Sequence, residues 1–236
     1  MAFILDSSLS YGCVCYADDI ALLSASCYGL QKLVGICSSC GISWNIKFNP
    51  VKSQLITFGG CNPAQRVITI SGNSIPWVPK VKYLGIIFMC NTALTDLSEA
   101  CRHFYGKFNR IMSVLGKCSN EMVALHLLKT YCLPTLMYGC EVWSLTDNSL
   151  PKVNVAWNNC FRRIFSCCWR DSTRPLQFFC NTLPISFLVD QRKLIFWYRM
   201  HCSNNPILYA LSRLHQNRFI ATGCKYGIDL LTNSCV

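Results

Sequence analysis

Two adjacent carboxylates, Asp18 and Asp19, occupy the stretch Tyr16-Ala17-Asp18-Asp19 between two apolar runs, Tyr11-Gly12-Cys13-Val14-Cys15 and Ile20-Ala21-Leu22-Leu23. Charges resist burial unless they are paired or bind metal. A tight turn between two strands lifts both acids out of the apolar layer and leaves a hard-oxygen site suited to Mg²⁺. The plainer reading is a hairpin turn with solvated acids, and only the rest of the chain separates the two.

Cysteine offers a second candidate chemistry. Cys37-Ser38-Ser39-Cys40 has the spacing of half a zinc site, but no second pair lies at finger distance. The pair also falls on the apolar stripe of an expected helix, which favours a core role over a structural zinc protein. The chain has 18 cysteines, mostly scattered singly. Met1 to Leu5 lacks the basic start of a secretory signal. The thiols therefore read as reduced, small hydrophobes of an intracellular protein, nuclear or cytoplasmic and not secreted.

The elements that must position these residues follow from the hydrophobic period. Residues 28–40 read as a helix through Leu30, Leu33, Val34 and Cys37, with Ser26 as N-cap and Gly41 as stop. Ile42, Trp44, Ile46 and Phe48 alternate with polar residues and predict a half-buried strand, and Gln54 to Phe58 predicts a second. Gly72-Asn73 predicts a hairpin turn between Val67–Ile70 and Ser74–Val78. Val81 to Phe88 reads as one further strand.

After Asn91 the period becomes helical. Leu97, Cys101, Phe104, Phe108, Ile111 and Leu115 form a narrow apolar seam, with His103, Lys107, Arg110 and Lys117 on roughly the opposite face. A second helix starts near Asn120-Glu121 and is kinked or ended by Pro134. Val153, Trp157, Cys160, Ile164 and Cys167 repeat the helical step, and residues 184–203 form an apolar helix. From about Asn217 the signals are weak.

Length and charge bound the function. A chain of 236 residues holds one large domain or two small ones. No stretch reads as a membrane span, so no membrane partner is expected. Residues 1–100 carry six Lys/Arg and five Asp/Glu, whereas residues 101–236 carry sixteen and six. A basic second half suggests a polyanionic partner, with an inert basic surface as the plain alternative.

The order of the parts is distinctive. The Tyr-Ala-Asp-Asp turn is followed by a Ser/Leu-rich helix, then Ile46-Lys47-Phe48-Asn49-Pro50 with Lys52-Ser53, then Lys82-Tyr83-Leu84-Gly85. Further on come Leu133-Pro134-Thr135-Leu136-Met137-Tyr138-Gly139-Cys140-Glu141-Val142-Trp143, Arg162-Arg163-Ile164 and Arg170-Asp171-Ser172. This series resembles the reverse transcriptases of non-LTR (LINE-type) retrotransposons over about residues 11–203. The resemblance implies an α+β protein. A partial right-hand polymerase palm, built of antiparallel hairpins plus one helix, spans residues 1–90. An all-helical thumb spans residues 91–150, and a helical post-thumb region spans residues 151–236.

The resemblance also implies roles. Asp18 matches the principal metal ligand and Asp19 the secondary acid, with Mg²⁺ as cofactor. Lys52 matches the lysine proposed to neutralise or protonate the leaving pyrophosphate, and reads equally as a solvated lysine in a turn. Tyr83, Leu84 and Gly85 match the primer-grip hairpin. RNA template and DNA primer are the implied partners, with dNTP only if the missing N-terminal part is present. Lys107, Arg110, Lys117, Arg162 and Arg163 are the candidates to grip the nucleic-acid backbone. The family's third carboxylate lies on an earlier palm strand, and Asp6, twelve residues before Asp18, leaves no room for that strand and its helix. The expectation is therefore a C-terminal fragment of an RNA-directed DNA polymerase, inactive alone. The alternative is a non-catalytic, basic, helical nucleic-acid-binding module.

Overall fold

The computed structural model describes residues 3–6, 9–59, 66–90, 97–116, 120–143 and 149–228. The chain divides into two units. One comprises Met1–Ala93 with Ser203–Leu214, and the other Leu94–Cys202 with His215–Val236.

Among the described residues, the first unit is built of four two-stranded antiparallel ribbons and two helices. Strands β1 (Phe3–Asp6) and β2 (Leu9–Tyr11) pair, as do β3 (Cys13–Tyr16) and β4 (Asp19–Leu22). Helix α1 (Cys27–Ser43) follows, capped by the Ser26 hydroxyl, which accepts from Gly29 N at 3.1 Å. The helix does not stop at Gly41. It runs on to Ser43 and closes in a Schellman motif, with Asn45 at φ 54° and bonds from Ile46 N to Gly41 O and from Asn45 N to Ile42 O.

That motif overturns the strand expected over Ile42–Phe48. The alternating residues are a helix end, and Ile42, Trp44 and Ile46 are exposed. Gly41 has a different role. A Cβ there would meet Ile46 O at 2.8 Å and Phe48 Cε2 at 2.9 Å, so the returning chain needs glycine. The strand expected over Gln54–Phe58 reduces to one bridge between Leu55 and Trp77.

Strands β5 (Ile68–Ile70) and β6 (Asn73–Ile75) form the next hairpin, turning on Ser71-Gly72, one residue earlier than expected. Val81–Phe88 is not one strand. It folds back at Leu84-Gly85 into β7 (Lys80–Tyr83) and β8 (Ile86–Met89). The core of this unit gathers Val34, Leu55, Ile68, Ile70 and Ile75. The Gln31 amide seals β5 by donating to Thr69 O and accepting from Thr69 N, both at 2.9 Å. The last element of the unit is α8 (Pro206–Leu214).

The second unit is helical. Helix α2 (Ser98–Leu115) buries Phe104 and Phe108, as its seam predicts. The Asn120 side chain caps α3 (Glu121–Leu127) by accepting from Met122 N at 2.8 Å. A π-turn over Leu128–Cys132 leads into the short α4 (Leu133–Leu136), so the irregularity expected at Pro134 is realised just before it. Helices α5 (Ser149–Ile164), α6 (Arg174–Phe179) and α7 (Ile185–His201) complete the bundle around Trp157, Phe161, Ile185 and Val189.

The stretch after Asn217 is more ordered than its sequence suggests. Helix α9 (Gln216–Cys224) stacks Phe219 on Trp197 at 5.5 Å. Beyond it, Lys225 and Tyr226 both donate to Asp190 Oδ2, at 2.8 and 2.6 Å. Among the described residues, no helix is long and apolar enough to cross a membrane.

Candidate active site

The acid pair sits where a hairpin must change direction. The β3–β4 ladder runs from Cys13↔Leu22 to Tyr16↔Asp19, and a further bond from Leu23 N to Gly12 O (2.8 Å) extends it. The two-residue turn is Ala17-Asp18, with Ala17 at φ 52°. A non-glycine residue in that region costs of order 1 kcal/mol, and such strain collects at functional turns. Both aspartates are exposed, so neither carboxylate is desolvated. The ribbon that carries them is exposed too, including Val14 and Tyr16, because β3 and β4 pair only with each other among the described residues.

A second turn lies within electrostatic reach of the first. β7 and β8 join at Leu84 (φ 47°) and Gly85 (φ 78°), so again a non-glycine residue is held in the left-handed region. Tyr83, at the end of β7, keeps its hydroxyl buried without a hydrogen-bond partner among the described residues. Burial pushes its phenol up from the ordinary value, and the Asp19 carboxylate adds to the rise. Asp19 and Tyr83, 64 positions apart in sequence, thus lie within electrostatic range of each other. Lys52 is exposed in the turn after Asn49-Pro50 and forms no ion pair with Asp18 or Asp19.

The hairpin and α1 also gather thiols. Cys13 Sγ lies 3.6 Å from Cys15 Sγ, and burial with help from Cys15 and Cys37 pushes the Cys13 thiol up to about 11. Cys37 is half-buried and Cys40 is exposed. Among the described residues, no group of three or more His, Cys, Asp or Glu side chains is placed to hold a metal ion. Asp18 and Asp19 are hard donors in an accessible turn. They fit part of a Mg²⁺ shell, and further ligands must come from water, substrate or residues beyond those described.

The second unit carries a basic cavity of about 380 Å³. It is lined by Arg102, His103, Gly106, Lys107 and Arg110 of α2 and by Thr135 of α4. The helical residues share one face, and Gly106 leaves the middle of that face open, with no atom within 4 Å of a Cβ. Lys107 Nζ donates to Thr135 Oγ1 at 2.6 Å. Arg102 and Thr135 had not been singled out from the sequence. Arg102 falls at helical spacing from Gly106 and Arg110, a signal available in the chain, whereas Thr135 arrives only through tertiary packing.

Arg162 and Arg163 are engaged within the protein. Arg162 donates to Asn159 Oδ1 and to Asp171 O. Arg163 donates to Asn109 Oδ1 and lies 5.6 Å from the Phe108 ring centre. Lys117 lies outside the described residues.

Comparison with known proteins meets this geometry. Residues 2–88 match the family of reverse transcriptases (RNA-dependent DNA polymerases). This segment is similar in sequence to reverse transcriptases. The chain is 25% identical over 173 residues to the RNA-directed DNA polymerase from mobile element jockey of Drosophila melanogaster, covering 69% of the chain and 19% of that protein. It is 25% identical over 165 residues to the "Probable RNA-directed DNA polymerase from transposon X-element" of the same organism, covering 65% and 18%. The chain therefore spans about a fifth of the length of the curated relatives it matches. No solved structure matches it. The matched segment contains both strained turns, and the similarity to the jockey polymerase is too long to end at residue 88.

Proposed function

We propose that the chain is part of an RNA-directed DNA polymerase of a non-LTR (LINE-type) retrotransposon, carrying the acid turn of the palm, the primer-grip hairpin, the thumb and the helical region after it. The observation that supports this most is that two hairpins each turn on a non-glycine residue in the left-handed region, one bearing Asp18 and Asp19, the other Tyr83, Leu84 and Gly85, with the Asp19 carboxylate in electrostatic range of the Tyr83 phenol. A metal-holding acid and a primer-positioning hairpin must be neighbours in templated polymerisation, because the primer 3′-hydroxyl has to reach the metal.

In this reading Asp18 and Asp19 hold Mg²⁺. When bound, the ion favours the ionised primer hydroxyl and offsets charge on the departing pyrophosphate. Tyr83, Leu84 and Gly85 orient the primer end, and Lys52 supplies positive charge or a proton to the leaving group of the dNTP. The α2 face with Lys107 and Arg110 follows the backbone of the RNA template and DNA primer. Two carboxylates do not complete the shared shell of a two-metal centre. We therefore propose that the 236-residue chain does not polymerise by itself. Primer extension on an RNA template with Mg²⁺ tests this. No incorporation is expected. Incorporation that vanishes in Asp18→Asn would show that the acid pair is catalytic without a third ligand and would overturn the proposed inactivity.

The basic cavity on α2 favours a second reading, a nucleic-acid-binding module without catalysis. Duplex affinity should then fall steeply with salt, and Lys107→Ala with Arg110→Ala should reduce the slope of log K against log salt by about two. A slope unchanged by that double substitution would reject the groove as the contact.

A further inference from the structure

Helix α6 turns Leu176 and Gln177 toward the core and leaves both of its phenylalanines outside. Its sequence is Arg174-Pro175-Leu176-Gln177-Phe178-Phe179, and the residue it buries most deeply is Gln177, at 2% exposure. Phe178 and Phe179 stand 82% and 83% exposed, edge to face with ring centres 6.0 Å apart. This orientation is held by Leu176 packed on the core and by a polar contact, in which Gln177 Nε2 donates to Asn158 Oδ1 at 2.8 Å. A helix free to follow the hydrophobic effect would turn its phenylalanines inward.

The loop before α6 repeats the pattern. Trp169 is 76% exposed, and the Arg170 guanidinium lies 4.8 Å from its ring centre. The loop is held by a frame of hydrogen bonds. Arg162 Nε and Nη2 donate to Asp171 O at 3.3 and 3.2 Å, Cys168 N donates to Asp171 Oδ2 at 2.8 Å, and Cys167 N donates to Arg162 O at 2.8 Å. Trp169 is therefore presented by a braced loop. From Arg162 to Phe179 the chain carries Arg162, Arg163, Arg170 and Arg174 against one acid, Asp171. None of the four arginines forms an ion pair with a carboxylate among the described residues.

Exposed aromatic faces with uncompensated guanidinium charge suit one class of ligand. A base offers a π-face to Trp and Phe, and its phosphate offers the counter-charge. In a duplex the base faces are already stacked on each other, so these rings can take only unstacked bases. We propose that the Trp169–Phe179 segment is a stacking platform for single-stranded nucleic acid, separate from the α2 groove. This site does not depend on the polymerase reading, since it requires neither Asp18 nor metal.

The test is fluorescence anisotropy of the full chain with labelled single-stranded oligo(U) and oligo(dT), beside a labelled duplex. Trp169→Ala is expected to weaken single-strand binding about tenfold, as for the loss of one base–aromatic stack, with Trp169→Phe largely retaining it. Phe178→Ala with Phe179→Ala should weaken it similarly, and duplex binding should not change. The substituted side chains are exposed, so circular dichroism should match wild type. The two oligonucleotides report whether RNA or DNA is preferred. Absence of single-strand binding by wild type, equal loss for single strand and duplex, or unchanged single-strand affinity in both variants would overturn the proposal. If instead the aromatic substitutions dissolve a self-association seen by sedimentation while single-strand affinity stays constant, the patch is a protein interface. Primer extension plays no part in the assay, so its outcome and that of the polymerase reading are independent.

Discussion

Cys140 and Cys160 are fully buried in the helical unit, and neither thiol can ionise there cheaply. Burial pushes Cys140 from 9.0 up to about 12, with Glu141 adding to the rise, and burial likewise raises Cys160 and Cys132. Each folded pKa lies above the unfolded value. The stability these thiols contribute is fully present below pH 9.0 and is lost as pH rises toward the folded values. Lys193 runs the other way. Burial pushes its ammonium from 10.5 down to about 8, so stability gains from this group as pH rises between those values. We predict that Cys140→Ala costs about 1 kcal/mol at neutral pH. The same substitution should flatten the decline of stability between about pH 9 and 11 that follows from thiol ionisation. Urea denaturation at several pH values measures both, and a decline identical to wild type would contradict the assignment. The sequence shows Cys160 as an apolar member of a helical stripe and Cys140 only as part of an apolar stretch. Their depth comes from packing that no local pattern records. Asp18 and Asp19 were legible as chemistry because two charges between apolar runs are locally anomalous. The neighbour that gives them context, Tyr83, is brought near only by the fold.

Elements whose signals are local were readable. The Ser26 cap, the α2 seam and the Asn120 cap all appear where their residues predict them. Elements that depend on how a chain ends or returns were not. Ile42, Trp44 and Ile46 alternate as a strand would, but Asn45 in the left-handed region makes them the tail of α1. A strand also needs a partner, and an alternating pattern does not show whether one is present. The apolar run Val81–Phe88 carries no local sign of its turn at Leu84-Gly85, because leucine rarely accepts positive φ, and the hairpin found there was expected from the resemblance alone. The glycines of α1 separate the two kinds of constraint. Gly35→Ala meets open space and should stabilise the protein by about 0.5–1 kcal/mol. Gly41→Ala drives a Cβ against the Ile46 carbonyl and should destabilise it by about 1–3 kcal/mol, despite alanine's better helix propensity. Thermal denaturation of the pair checks this, and two shifts of the same sign would refute the close-approach argument.

At the scale of the whole molecule, the chain joins a ribbon-rich unit to a helical one, and the change of hydrophobic period near Asn91 marks the passage between them. The uneven charge is the other large-scale signal. The α2 groove and the arginine-rich segment before α6 both lie in the basic half. The proposed polymerase chemistry depends on the acid turn and on the Leu84-Gly85 turn within its electrostatic range. The most direct test replaces Mg²⁺ by Fe²⁺ with ascorbate and peroxide, so that radicals formed at the bound ion cut the nearest backbone. Cleavage is expected within residues 16–20 and again at residues 82–85, with both cuts lost in Asp18→Asn/Asp19→Asn. Cleavage confined to other parts of the chain, or cuts that persist in that double variant, would contradict it.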